Sequence, residues 1–159
     1  MTERNSAQDA RYMQEALTEA RLAAEHGDVP VGAVVVHTAT GKIIARGHNT
    51  REQEGSALGH AEVSAIDTAC RAVGDWRLSD YTLYVTLEPC PMCAGAILAS
   101  RIHTVVCGAK DPVAGAMGSV WALHRHPLNA SKVDVTYGCE AADCKALLQS
   151  FFKRKRNEK

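Results

Sequence analysis

With 159 residues, 46% of them hydrophobic and 23% charged, the sequence has the make-up of one ordinary globular domain over residues 1–159, too short for a second catalytic domain. Formal net charge is zero, which excludes recognition of a polyanion by bulk charge, yet residues 153–159 hold five Lys/Arg against one Glu, a local +4 that leaves −4 elsewhere. The polar start MTERNSAQDA lacks a signal-peptide layout and no apolar run reaches the roughly 18 residues of a membrane span, so a cytoplasmic protein with no membrane partner is expected, its six cysteines reduced thiols.

In chain order, Ser6 caps a first helix in which Ala10, Met13, Leu17, Ala20 and Ala24 recur at helical spacing until His26-Gly27. The β-branched run 31–37 and residues 42–47 read as a hairpin about a turn at 38–41. A polar loop over 51–58 leads into a helix from His60 to Val73, with Ala61, Ala65, Ile66 and Ala69 inward. The alternating run 81–87 is a central strand, and the next helix opens at Pro89–Cys93, where first-turn N–H groups have no partner to lose to proline. A strand over 102–108, a Gly-rich loop over 111–119, a short helical piece near 120–124 and a strand over 132–137 follow. A basic closing helix over 140–156 turns Ala142, Ala146, Leu147 and Phe151 inward. This order makes an α/β fold, a five-stranded mixed sheet sandwiched by helices.

The chemistry is concentrated in His60-Ala61-Glu62 and, about thirty residues on, Pro89-Cys90-Pro91-Met92-Cys93. Cys90 and Cys93 lie one turn apart at a helix N-terminus, where the dipole and free N–H groups favour the thiolates that bind metal. His60 begins the neighbouring helix, so three donors can converge on one zinc ion per chain. Three protein ligands leave the fourth position to a water that the metal acidifies. Glu62, too close to His60 in sequence to join a tetrahedron comfortably, is placed to take the proton of that water and return it to substrate. The alternative is a closed structural site with Cys70 or Cys107 as fourth ligand and Glu62 a mere helix-terminus charge.

These fragments resemble a known family. The run TLYVTLEPCPMCAGAILASRI, with HAE, PVGAVVV, GHN and SFFKRKR, is similar over roughly residues 8–157 to the bacterial tRNA adenosine deaminases (TadA type). The resemblance implies the cytidine-deaminase-like three-layer α/β/α sandwich, a homodimer, and hydrolysis of adenosine to inosine, by attack at C6, at the wobble position of an arginine tRNA anticodon loop. It makes His60, Cys90 and Cys93 the zinc ligands and Glu62 the catalytic proton shuttle. Asn49 would hydrogen-bond the purine; a buried amide that pairs with one base is left unsatisfied by another. Ala61 would offer its backbone N–H to substrate, and Val31 and Leu87 would wall the ring. Asp111 would accept from a ribose 2′-hydroxyl, which deoxyribose cannot supply, and Phe152 would lie against an unstacked nucleotide. Plainer roles stand beside two of these: Asn49 as a turn residue, Asp111 as a turn cap.

Where many relatives carry Asp-Pro-Thr-Ala before the histidine, this sequence has Ser56-Ala57-Leu58-Gly59, which alters the loop but no ligand. Cys70, Cys107, Cys139 and Cys144 read as small buried hydrophobes, His124 and His126 as surface residues, and Trp76 as a partly buried loop aromatic. Two further functions use the same motifs: deamination of a free base or nucleoside of guanine or cytosine type, and zinc-stabilised RNA binding without catalysis.

Overall fold

The structure, a computed structural model, describes residues 5–158; the first four residues of the polar start and Lys159 of the basic end lie outside them. Helix α1 (Ser6–Glu25) leads to strands β1 (Gly32–His37) and β2 (Ile43–His48), the one-turn helix α2 (Arg51–Glu54) and helix α3 (Ala61–Val73). Strand β3 (Tyr81–Leu87), helix α4 (Pro91–Ala99), strand β4 (Thr104–Ala109), a 3₁₀ turn at Leu123–Arg125, strand β5 (Asp134–Thr136) and helix α5 (Ala141–Asn157) complete the order.

The sheet runs β2-β1-β3-β4-β5. Strand β1 is antiparallel to β2 and β3, whereas β3, β4 and β5 are parallel. Alternation on the central strands feeds two cores: Val35, Leu83, Val85 and Val105 face α3 and α4, while Val34, Tyr84 and Val106 face α1 and α5. The sandwich therefore has three layers. Leu83 and Ile97 are fully buried, each worth about 1.5–3 kcal/mol relative to exposure.

One close approach fixes where the site can form. A Cβ on Gly47 in β2 would stand 2.5 Å from the Ala61 carbonyl and 2.8 Å from the Ala65 nitrogen, so only glycine lets α3 lie directly on the strand. Helix α3 and β2 are thereby brought together at the end carrying His60 and Asn49.

Several expectations are corrected. Asn5, not Ser6, caps α1, its Oδ1 accepting from the Gln8 N–H at 3.2 Å. The polar loop after β2 contains α2, and the helical piece near 120–124 is a 3₁₀ turn at Leu123–Arg125. Helix α5 turns Cys144, Leu147, Leu148 and Phe151 inward and exposes Ala142 and Ala146, because burial follows the larger side chains. His124 is buried, and Trp76 is 52% exposed, with the guanidinium carbons of Arg77 and Arg101 4.5 and 5.5 Å from its ring centroid. Cys107 and Cys144 are buried as expected, but Cys70 and Cys139 are only half-buried.

Candidate active site

Two helix starts meet at the site. His60 is the N-cap of α3 and Cys90 the N-cap of α4, and neither side chain makes a capping hydrogen bond. Both are therefore free to point across the gap between the helices. Cys93 comes from the first turn of α4, after Pro91 has set the entry of the chain. His60 Nδ1 lies 3.6 Å from Cys90 Sγ and 3.5 Å from Cys93 Sγ, and all three ligand atoms lie within 4.8 Å of one another. A tetrahedral zinc, with Zn–S near 2.3 Å and Zn–N near 2.0–2.1 Å, sets nitrogen and sulfur about 3.5 Å apart. The donor set fits zinc in type and in spacing.

The electrostatics agree. The Cys93 thiol beside it, and then His60, hold Cys90 down at about 3 against its burial. The same neighbour drives Cys93 far above the ordinary thiol range, with burial adding to it. A second thiolate so close to the first needs a cation, which a divalent metal provides. His60 is raised, chiefly by its hydrogen bond to Cys90, with Glu62 adding. Cys70 and Cys107 lie outside the cluster, so the four-ligand alternative finds no fourth cysteine.

Glu62, in the first turn of α3, is 4% exposed, and burial raises it to about 7. It opens, with His60 and Cys90, on a cleft of about 680 Å³. Val31, Asn49, Leu87, Asp111 and Phe152 also line this cleft, so five of the six residues expected to meet substrate share one space. Ala61 is the exception. It is fully buried, and its N–H donates to Asn49 Oδ1 at 2.9 Å, which fixes the Asn49 amide and leaves the Asn49 N–H groups to donate into the cleft. The bond is an end-of-helix need met by the residue just after β2, since His60 offers α3 no side-chain cap.

Asp111 takes the turn-cap role and also stands at the cleft. Its Oδ1 accepts from the Val113 and Ala114 N–H groups at 3.0 and 3.2 Å, capping the turn, while the residue also lines the cleft. Phe151 is buried and Phe152 is 45% exposed, with rings edge-to-face at 5.5 Å. Lys155, one turn beyond Phe151, lines the same cleft, as does Arg51 of α2. The altered segment before His60 is closed by backbone bonds, Thr50 N–H to Gly59 O at 2.9 Å and Gly59 N–H to Ser56 O at 3.1 Å.

Two carboxylates escaped sequence reasoning. Asp28, 1% exposed, accepts from the Glu52 and Gln53 N–H groups at 2.7 and 3.2 Å and so anchors α2 at the cleft. Glu88, 2% exposed, sits beside Cys90 and holds the loop after β4. The only signal of the latter was an acid between an apolar strand and Pro89, where a solvated residue is out of place.

A three-donor metal cluster with a buried carboxylate beside it, on this sandwich, defines a zinc-dependent deaminase. The family profile of the cytidine and deoxycytidylate deaminase zinc-binding region matches residues 6–109, and the chain belongs to that family. Within it, the chain is 48% identical over 152 residues to the tRNA-specific adenosine deaminase of Bacillus subtilis, covering 96% of this chain and 93% of that one. A solved structure from work on A-to-I editing by tRNA:A34 deaminases at the wobble position superposes with a TM-score of 0.82 at 40% identity, covering 87% of this chain and 99% of the other. The guanine deaminase of Nitrosomonas europaea aligns at a TM-score of 0.75 with 25% identity, over 89% of this chain and 83% of its own.

Proposed function

We propose that this chain, acting as a single deaminase domain, hydrolyses adenosine to inosine at the wobble position of a tRNA anticodon, the expected substrate being an arginine tRNA. The observation that carries the reading is the pairing of the His60–Cys90–Cys93 cluster with buried Glu62 at the floor of a cleft whose rim holds Phe152, Lys155 and Arg51. Similarity to tRNA-specific adenosine deaminases along nearly the whole chain supports the same substrate.

His60 Nδ1 and the Sγ atoms of Cys90 and Cys93 would hold zinc, which when bound would supply the Lewis acidity that brings a water's ionisation near neutral pH. The protein's own residues do the rest. Glu62, poised at about 7, accepts a proton from the attacking water on a carboxylate oxygen and passes it to a purine ring nitrogen; it then takes the second proton from the new C6 hydroxyl and delivers it to the departing amine. The balance is one water consumed and one ammonia released. Asn49, with Oδ1 tied to Ala61, donates from its amide to an acceptor on the purine. Val31 and Leu87 exclude water on either side of the base, and Asp111 and Phe152 meet the sugar and a neighbouring nucleotide. The base must leave the loop's stack to reach this floor, which is easiest in a single-stranded loop.

The likeness to a guanine deaminase supports a second reading, turnover of a free base. The cationic and aromatic rim favours RNA, because a free base needs no contact so far from the floor. A homodimer has its own support: α4 carries no charged residue, and Pro91, Gly95 and Ala99 form an exposed apolar stripe along it.

The test is to incubate the zinc-loaded protein with arginine tRNA, free adenosine, guanine and cytidine, measuring inosine and ammonia. Inosine in tRNA is expected, and loss of at least about 10²-fold in Glu62→Ala with zinc still near one per chain. Faster turnover of a free base than of tRNA overturns the substrate. Undiminished inosine formation in Glu62→Ala removes Glu62 from the reaction.

A further inference from the structure

Glu88 takes no part in the chemistry above, yet it is one of three buried carboxylates among the described residues, with Asp28 and Glu62. Its two oxygens receive four donors. Oε1 accepts from the Asp111 N–H at 3.2 Å and from the Ser119 hydroxyl; Oε2 accepts from the Met117 and Ser119 N–H groups, both at 3.1 Å. These donors belong to one irregular segment, residues 111–119, whose backbone groups have few partners in secondary structure. Only an ionised carboxylate offers acceptor sites for all of them with no hydrogen of its own to clash. Gly115 is shaped to this contact, since a Cβ there would stand 2.5 Å from the Glu88 carboxylate.

The position of Glu88 in the chain makes the contact more than local. Its own N–H donates to Ala109 O at 2.9 Å, and the Pro89 carbonyl accepts from Ala116 N–H at 2.9 Å. The strand end that delivers Cys90 is thereby stitched to the loop that delivers Asp111 and Ala114 to the cleft wall. Asp111 is held twice: its N–H by Glu88, and its Oδ1 by the turn it caps. Neither bond uses Oδ2.

We propose that Glu88 is a positioning residue for substrate binding: it holds the 111–119 loop against the zinc-ligand segment so that Asp111 meets the substrate in a fixed place. The proposal rests on the tRNA deaminase reading for its substrate, but not for the tether. Because Glu88 acts on the wall of the cleft and not on its floor, losing it weakens substrate binding and spares the chemical step.

Glu88→Gln replaces one acceptor oxygen with an amide that faces N–H donors, and Ser119→Ala removes a single donor while leaving the fold its backbone bonds. Both are measured as zinc-loaded protein, by amide hydrogen exchange over residues 111–119, zinc content, and steady-state inosine formation in tRNA. Expected for Glu88→Gln are faster exchange confined to that segment, KM for tRNA raised about tenfold, kcat within about twofold and zinc near one per chain, with the same pattern smaller in Ser119→Ala. If Glu88→Gln does not fold, Ser119→Ala carries the comparison. Unchanged exchange in the folded variants, or a fall in kcat at unchanged KM, overturns the proposal. Wild-type protein that forms no inosine in tRNA refutes the substrate reading instead, and loop exchange then decides the tether alone.

Discussion

In the proposed function Asn49 serves both stability and selectivity. Its Oδ1 satisfies the Ala61 N–H at the start of α3, and its amide hydrogens would remain for the base. Two substitutions separate these roles. Asn49→Asp keeps the acceptor and loses the donors, so melting temperature is expected to hold while kcat/KM falls by about 10²-fold or more. Asn49→Ala loses both, with the same loss of activity and about 1 kcal/mol of stability, the usual effect of losing a helix cap. Thermal melts and inosine assays on the pair decide it; a stable, fully active Asn49→Asp would leave Asn49 with only its capping role. At this scale the ligands and Glu62 were readable because metal chemistry restricts residue type and spacing. Asp28 and Glu88 were not, since an isolated acid in sequence says nothing about the backbone N–H groups that will converge on it. The partner of the Ala61 N–H was not legible for a related reason: which N–H a neighbouring side chain will occupy depends on how β2 and α3 are juxtaposed.

Helix α3 is the element on which the site depends, and Gly47 sets its height above the sheet. Gly47→Ala is expected to push α3 off β2, destabilising the protein by about 1–3 kcal/mol as overpacked sites do. His60 moves with the helix, so zinc should also be lost to a chelator at lower concentration than in wild type. Chelator titration followed by metal analysis checks this; unchanged zinc retention would mean that the His60 position is set elsewhere. The central strands were legible because alternation over 81–87 and the β-branched run in β1 leave few other structures. Element ends were less so. Helix α4 begins at Pro91 because Cys90 is its N-cap, and β5 is short because only residues 134–136 pair with β4. In α5 the inward face follows Cys144, Leu147 and Phe151 rather than the alanines, since small residues fit either side of a helix and report poorly on direction.

For the whole molecule, the sequence indicated the layers but not the surfaces. The zero net charge conceals a basic C-terminal end that α5 carries to the cleft rim through Lys155. The apolar stripe of α4 has no sequence periodicity to betray it, because nearly every residue of that helix is apolar and only the fold divides inward from outward. A Cβ on Gly95 meets nothing within 4 Å, so Gly95→Lys is tolerable within one chain and places a charge on the stripe. If two copies associate through α4, light scattering should give a dimer for the wild type and a monomer for Gly95→Lys. A Gly95→Lys protein of unchanged mass would place any interface on another face.

The proposed function depends on a metal held by three protein donors with one position left for chemistry. X-ray absorption at the zinc edge of the loaded protein measures this directly. Expected are two sulfurs at about 2.3 Å, one imidazole nitrogen at about 2.0 Å and a light fourth ligand that exchanges with added inhibitor. A third sulfur or a second imidazole in the first coordination sphere would contradict it.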